Sequence, residues 1–221
     1  MTQTASQAQE MITLAREKQL FLMEGMWSRF LPKSLRVRRW IQEGRIGELH
    51  LMQANIGWKA DKTYNKRLFY PELGGGSLYD IGIYPMELLP YYADQKITQM
   101  QFFKKDYSTG VDEIVSLNLQ LERCIANIQC SFTTKMPEDA YLYGSDGYIH
   151  IPKIHFGNRA RLYDLEDRLV EDFHEGLDNG FYYEVCEVIS CIEKGQTESS
   201  ICPLNMTYDN AKLFDHVLRS R

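Results

Sequence analysis

The chain has 221 residues and a formal net charge of −5, with 44% hydrophobic and 25% charged residues. That length can bury a sizeable core as one large domain, or as a domain plus a fragment of another. The acidic balance argues against nucleic acid or an anionic membrane as the main partner. No run approaches the roughly 20 apolar residues of a membrane span, and residues 1–7 lack the basic-then-apolar layout of a leader. The five cysteines, at 124, 130, 186, 191 and 202, form no C-x-x-C pair. An odd count without a leader fits buried thiols in a reducing cytoplasm. A metal site is not expected, because the histidines are scattered and His174-Glu175 meets Asp178 where H-E-x-x-H needs a second histidine.

In chain order, residues 6–18 read as an amphipathic helix with Ser6 as N-cap and Ala8, Met11, Ile12 and Ala15 on one face. Leu20-Phe21-Leu22-Met23, ending in Glu24-Gly25, reads as a buried strand of a parallel sheet. No strand precedes it, and a lone parallel strand leaves its backbone groups unpaired. The chain is therefore expected to begin inside a larger sheet. Pro32 opens a second helix to about residue 43, with Val37, Trp40 and Ile41 inward and Gly44 as its stop. Arg36, Arg38, Arg39 and Arg45 read as a solvated face of it.

An extended run is expected over 48–57, a long loop over 61–73, and a helix over 77–92 that Pro85 and Pro90 make irregular. From there the apolar period is two. Val115, Leu117, Leu119 and Leu121, then Cys124, Ala126, Ile128, Cys130 and Phe132, alternate with polar residues across the Glu122-Arg123 turn, which predicts a hairpin with one buried face. Further strands are expected near 97–103, 139–143, 147–151, 160–164 and 168–173. Two helices close the chain, the first striped by Phe181, Val185, Val188, Ile189 and Ile192, the second by Leu204, Tyr208, Ala211 and Val217. The sum is an α+β fold, an open, mostly antiparallel or mixed sheet of about six strands with helices on one face. The other face is left for water or a second subunit, which predicts a homodimer.

One run stands out for chemistry, Gly74-Gly75-Gly76-Ser77-Leu78-Tyr79-Asp80-Ile81-Gly82-Ile83-Tyr84-Pro85. Three glycines allow a close backbone approach, and the following helix places Asp80 and Tyr84 one turn apart on one face. A carboxylate beside a phenol is a candidate acid/base pair; alternatively Asp80 caps the helix and Tyr84 packs in the core. The glycines do not make a dinucleotide loop, since Tyr79 stands where the last glycine of G-x-G-x-x-G is required.

This run resembles the glucose–fructose oxidoreductase / inositol dehydrogenase / rhizopine catabolism (Gfo/Idh/MocA) oxidoreductases. So do Phe21-Leu22-Met23-Glu24-Gly25-Met26-Trp27-Ser28-Arg29-Phe30-Leu31-Pro32, Gly44-Arg45-Ile46-Gly47-Glu48, and the ending from Gly180 through Cys202-Pro203-Leu204. Within the family the chain is most similar to the dimeric dihydrodiol dehydrogenase branch, because Tyr84 replaces the histidine of many members. The resemblance implies that residues 1–26 are the last helix and strand of an N-terminal Rossmann domain. It implies that 27–221 form the substrate-binding and dimerisation domain. The dinucleotide loop and a Glu-Lys-Pro lysine would lie upstream of residue 1.

The implied parent is an NAD(P)-dependent enzyme that passes hydride between nicotinamide and a secondary alcohol or ketone of a cyclic diol, polyol or sugar. The alternatives are a sugar or inositol-type dehydrogenase, or a non-catalytic ligand-sensing or dimerisation module on the same fold. Tyr84 and Asp80 would be catalytic. A phenol, with a pKa of roughly 10, needs positive charge nearby to act as a base at neutral pH; Asp80 would orient groups. Trp27 and Arg29 would border both nicotinamide and substrate, and Arg67 and Phe69 would help bind substrate. NAD or NADP would serve the parent, with no cofactor bound to this chain alone, which is expected to be inactive.

Overall fold

The strand segments read from the period-two pattern pair into a single sheet. The computed structural model describes residues 1–176 and 179–219; Asp178, where the H-E-x-x-H pattern breaks, lies outside them. Two compact units divide the chain, Pro32–Gly176 and Met1–Leu31 together with Leu177–Arg221.

Pro32–Gly176 holds the sheet: β1 (Leu49–Gly57), β2 (Ile97–Asp106), β3 (Asp112–Leu121), β4 (Ile125–Ser131), β5 (Ala140–Gly144), β6 (Gly147–Ile151), β7 (Arg159–Asp164) and β8 (Leu169–His174). The order is β2-β3-β4-β1-β5-β6-β7-β8, eight strands among the described residues rather than six. Neighbours run antiparallel except β1 with β4, which are parallel; Ala54 lies opposite Ile128 on one side and Ala140 on the other. β1 is thus the seam between two antiparallel meanders.

Alternation sorts the side chains. Met52, Ala54, Ile56, Leu117, Leu119, Ile128, Cys130, Leu142, Ile149 and Leu162 are buried on one face. Each such large aliphatic side chain contributes about 1.5–3 kcal/mol by burial. This face is covered by α2 (Pro32–Gln42), which packs on β7 and β8, and α3 (Ile83–Ala93), which packs on β1 and β4. Of the four arginines read as a solvated face, Arg39 fits, pairing with exposed Glu43 one turn on, and the other three hold partners across the fold. Arg36 and Arg45 converge on Glu171 of β8, joined by the Trp40 indole N–H at 3.2 Å, while Arg38 reaches Asp94 at 2.9 Å. Paired in this way, Glu171 is held below the usual carboxylate range despite partial burial.

The opposite face carries Gln53, Asn118, Asn127 and Gln129, then an aromatic band. There Tyr141 stacks on His150 at 4.5 Å, and Tyr148 on Tyr163 at 4.8 Å.

The other unit contains α1 (Ala5–Glu17), α4 (Phe181–Glu193) and α5 (Leu204–Arg219). Thr4 caps α1, rather than Ser6, by accepting the Gln7 N–H at 3.1 Å. The strand expected at residues 20–23 does not form. Leu20 N–H closes onto Ala15 of α1 and Leu22 N–H reaches Thr197, isolated bonds instead of a ladder, and Leu20 is 60% exposed. The α4 stripe also differs from expectation: Phe181, Val185, Ile189 and Ile192 are all exposed, and Cys191 is the buried residue of that helix. Four cysteines are buried and Cys186 is exposed. No helix among the described residues is long and apolar enough to cross a membrane.

Candidate functional site

The glycine run folds back on the turn that precedes it. Gly75 N–H bonds to the Tyr70 carbonyl at 3.1 Å and Gly76 N–H to that of Leu68 at 3.0 Å. A Cβ on Gly75 would stand 2.6 Å from the carbonyl oxygens of Arg67 and Leu68, so only glycine permits this approach. The consequence is chemical. The 61–73 segment contains two short 3-10 turns, Lys66–Phe69 and Pro71–Leu73, and the first delivers the Arg67 guanidinium to the Asp80 carboxylate. Arg67 also donates to the Gly74 carbonyl at 3.3 Å.

Asp80 lies in a π-helical turn, Leu78–Gly82, that runs directly into α3. The wider i→i+5 turn relaxes the one-turn stacking that α spacing predicts for Asp80 and Tyr84. Asp80 does not cap this element. Asp112, at the start of β3, accepts the Leu78 N–H at 2.7 Å and the Ser77 hydroxyl at 2.8 Å. Its carboxyl fills the space a Cβ on Gly76 would need, at 2.1 Å, and Gly76 has φ +111°. Burial pushes Asp112 up to about 6, against the pull of these donors. Sequence reasoning missed Asp112, whose role comes from pairing across the fold.

Tyr84 starts α3 partly buried, its ring 4.9 Å from that of His155, which sits in the turn between β6 and β7. Burial and the Lys33 ammonium push His155 down to about 4. Phe69 is 4% exposed in a cluster with Leu68, Val111 and Phe132, edge-on to Phe132 at 4.9 Å.

Trp27 and Arg29 belong to the other unit, on a 3-10 turn. The Trp27 ring lies 4.9 Å from Phe181 and against Gly180, where a Cβ would meet it at 2.3 Å. Arg29 is buried and touches the Met206 sulfur. The structure thus brings Arg67 to Asp80 and His155 to Tyr84.

The glycine loop does not fit a dinucleotide phosphate. Its amides are taken by the Pro71, Tyr70 and Leu68 carbonyls, and the Leu78 amide by the Asp112 carboxylate, where an anion would be repelled.

Residues 34–150 match the GFO/IDH/MocA C-terminal domain. Among relatives, the trans-1,2-dihydrobenzene-1,2-diol dehydrogenase of Danio rerio is 33% identical over 202 residues, covering 88% of this chain and 60% of its own length. That of Mus musculus is 31% identical, covering 90% and 62%. The chain therefore spans about three fifths of the length of these relatives. An aldose-aldose oxidoreductase from Caulobacter crescentus, solved with glycerol, superposes with a TM-score of 0.88 at 19% identity, covering 99% of this chain and 67% of that one. A 3-ketoreductase from Actinomadura kijaniata, solved with TDP-benzene and NADP, gives 0.78 at 19%, covering 97% and 65%. At such identity these two superpositions establish the fold alone.

Proposed function

The chain belongs to the GFO/IDH/MocA family, and from that premise we propose that it is the substrate half of an NAD(P)-dependent oxidoreductase. The ligand class is a cyclic diol, polyol or sugar, as the names of the relatives suggest. The observation that carries this reading is the glycine-led turn that sets Asp80, held by Arg67, four residues ahead of Tyr84, whose ring on the first turn of α3 lies against His155. Tyr84 would take the hydroxyl proton as an alcohol is oxidised and return it in the reverse direction. Asp80, held by Arg67, would accept a hydrogen bond from a neighbouring hydroxyl and fix the substrate's orientation. The nicotinamide would supply hydride acceptance, and it is assigned to the part of the relatives' length this chain does not match. Residues 1–26 would be the end of that dinucleotide-binding part, with Trp27 and Arg29 bordering it.

The open sheet face, with its stacked tyrosines, is the surface this reading gives to a homodimer. Cysteines held as thiols instead of disulfides support residence in a reducing cytoplasm. The test is to join the chain to the part of the Danio rerio relative that it does not match and assay NADP-dependent oxidation of trans-1,2-dihydrobenzene-1,2-diol. Turnover should appear and fall about 10²–10⁴-fold in Tyr84→Phe. Equal turnover in that variant would remove Tyr84 from the chemistry, and turnover by the 221 residues alone would overturn the half-enzyme reading.

A further inference from the structure

Lys33 lies on the first turn of α2 and is only 1% exposed. Its ammonium donates to the carbonyl oxygens of Lys153 at 2.7 Å and Ile154 at 2.8 Å. A buried ammonium is costly unless hydrogen-bonded, so these bonds fasten the 152–157 turn to α2. Asp139 fastens the same turn from the other side, accepting the Lys153 N–H at 3.3 Å and bonding the His150 imidazole at 2.8 Å. Lys153 itself is at φ +51°, a conformation that non-glycine residues hold only where their surroundings impose it. The turn so held carries His155. Its ring is tilted 33° to that of Tyr84, Phe156 stands edge-on behind it at 4.5 Å, and its Nδ1 is buried without a hydrogen-bond partner among the described residues.

We infer that Lys33 and His155 are positioning residues for Tyr84: the lysine fixes the turn, and the turn holds the imidazole against the phenol ring. This rests on the reading of Tyr84 as the proton-transferring group. The charged and titratable groups around the turn are Lys33 from α2, Tyr84 from α3, Asp139 ahead of β5, and His150 from β6. Burial first, and then Lys33, keep His155 uncharged at neutral pH. It is therefore a plate for the phenol instead of a second base.

The test uses NMR of the isotope-labelled 221-residue chain, with the Tyr84 signals assigned through Tyr84→Phe. Lys33→Met keeps the apolar stem and removes the donors. It should abolish the ring-to-ring NOEs between His155 and Tyr84 and raise the His155 titration midpoint. His155→Ala should move the Tyr84 ring signals, and His155→Phe, which retains a plate, should return them toward wild type. Were Lys33 merely structural, Lys33→Met would lower the unfolding temperature and leave the NOEs in place, overturning the inference. Tyr84 signals unmoved in His155→Ala would overturn it equally. If Lys33→Met does not fold, the two His155 variants decide. Titration with trans-1,2-cyclohexanediol tests the underlying reading separately. No perturbation at Tyr84 would remove its substrate role, and the variants would still decide the positioning.

Discussion

The two faces of the sheet share one backbone and differ in what holds them. On the covered face, aliphatic side chains interlock with α2 and α3 at essentially zero exposure, so each position has many close neighbours. On the open face, amides and stacked tyrosines touch mainly along and across the strands, as in Asn127 with Asn118 at 2.7 Å. The difference teaches that stability is concentrated on one side, and that the other is free to be selected for association. Leu117→Ala and Ile128→Ala, directly paired on the covered face, should each cost about 2–5 kcal/mol in urea unfolding. Losses below 1 kcal/mol would mean the face is loosely packed.

Next in size is the covered end of β3. Asp112 is raised to about 6 from an ordinary 3.8, so the folded chain holds that proton more tightly than the unfolded one. Its contribution is full below about pH 4 and is lost as pH rises through 6. This amounts to on the order of 3 kcal/mol across that window. Asp112→Asn should remove this component, so the stability difference between variant and wild type should slope over pH 4–6 and flatten above. A flat difference throughout would place the titration elsewhere.

The open face should respond in the opposite sense. Tyr148→Lys breaks the Tyr148–Tyr163 stack and should cost only about 0.2–1 kcal/mol; with the proposed homodimer built on this face, it should also turn that dimer into a monomer in light scattering. Dimer retained in the variant would move the interface off this face. Smallest of all, Asn118→Ala should change stability by no more than about 0.5 kcal/mol.

The same contrast explains what the sequence could announce. Alternation in 113–121 and 124–132 names the residues of each face, because side-chain direction is local. It does not say that β1 runs parallel to β4, since no local pattern records a partner so far along the chain. The stripe on α4 is a real amphipathic pattern, and periodicity alone placed it inward when those residues are exposed. At the site, Asp80 and Tyr84 are visible because a glycine run marks them. Asp112, Lys33 and His155 carry no such mark: each acquires its role from a contact between distant segments. The strand reading of residues 20–23 failed for a related reason, as an apolar run becomes a strand only where a ladder receives it.

The seam at β1 has a consequence in time. Strands β2 to β4 and β5 to β8 each join neighbours through short turns, so both meanders can zip early. Ala54, in contrast, meets Ile128 and Ala140 only after long loops have closed. β1 should therefore be the last strand to enter, a keystone set between two arches already standing. Met52→Ala should then speed unfolding and leave the folding rate nearly unchanged; slowed folding would put β1 in the nucleus.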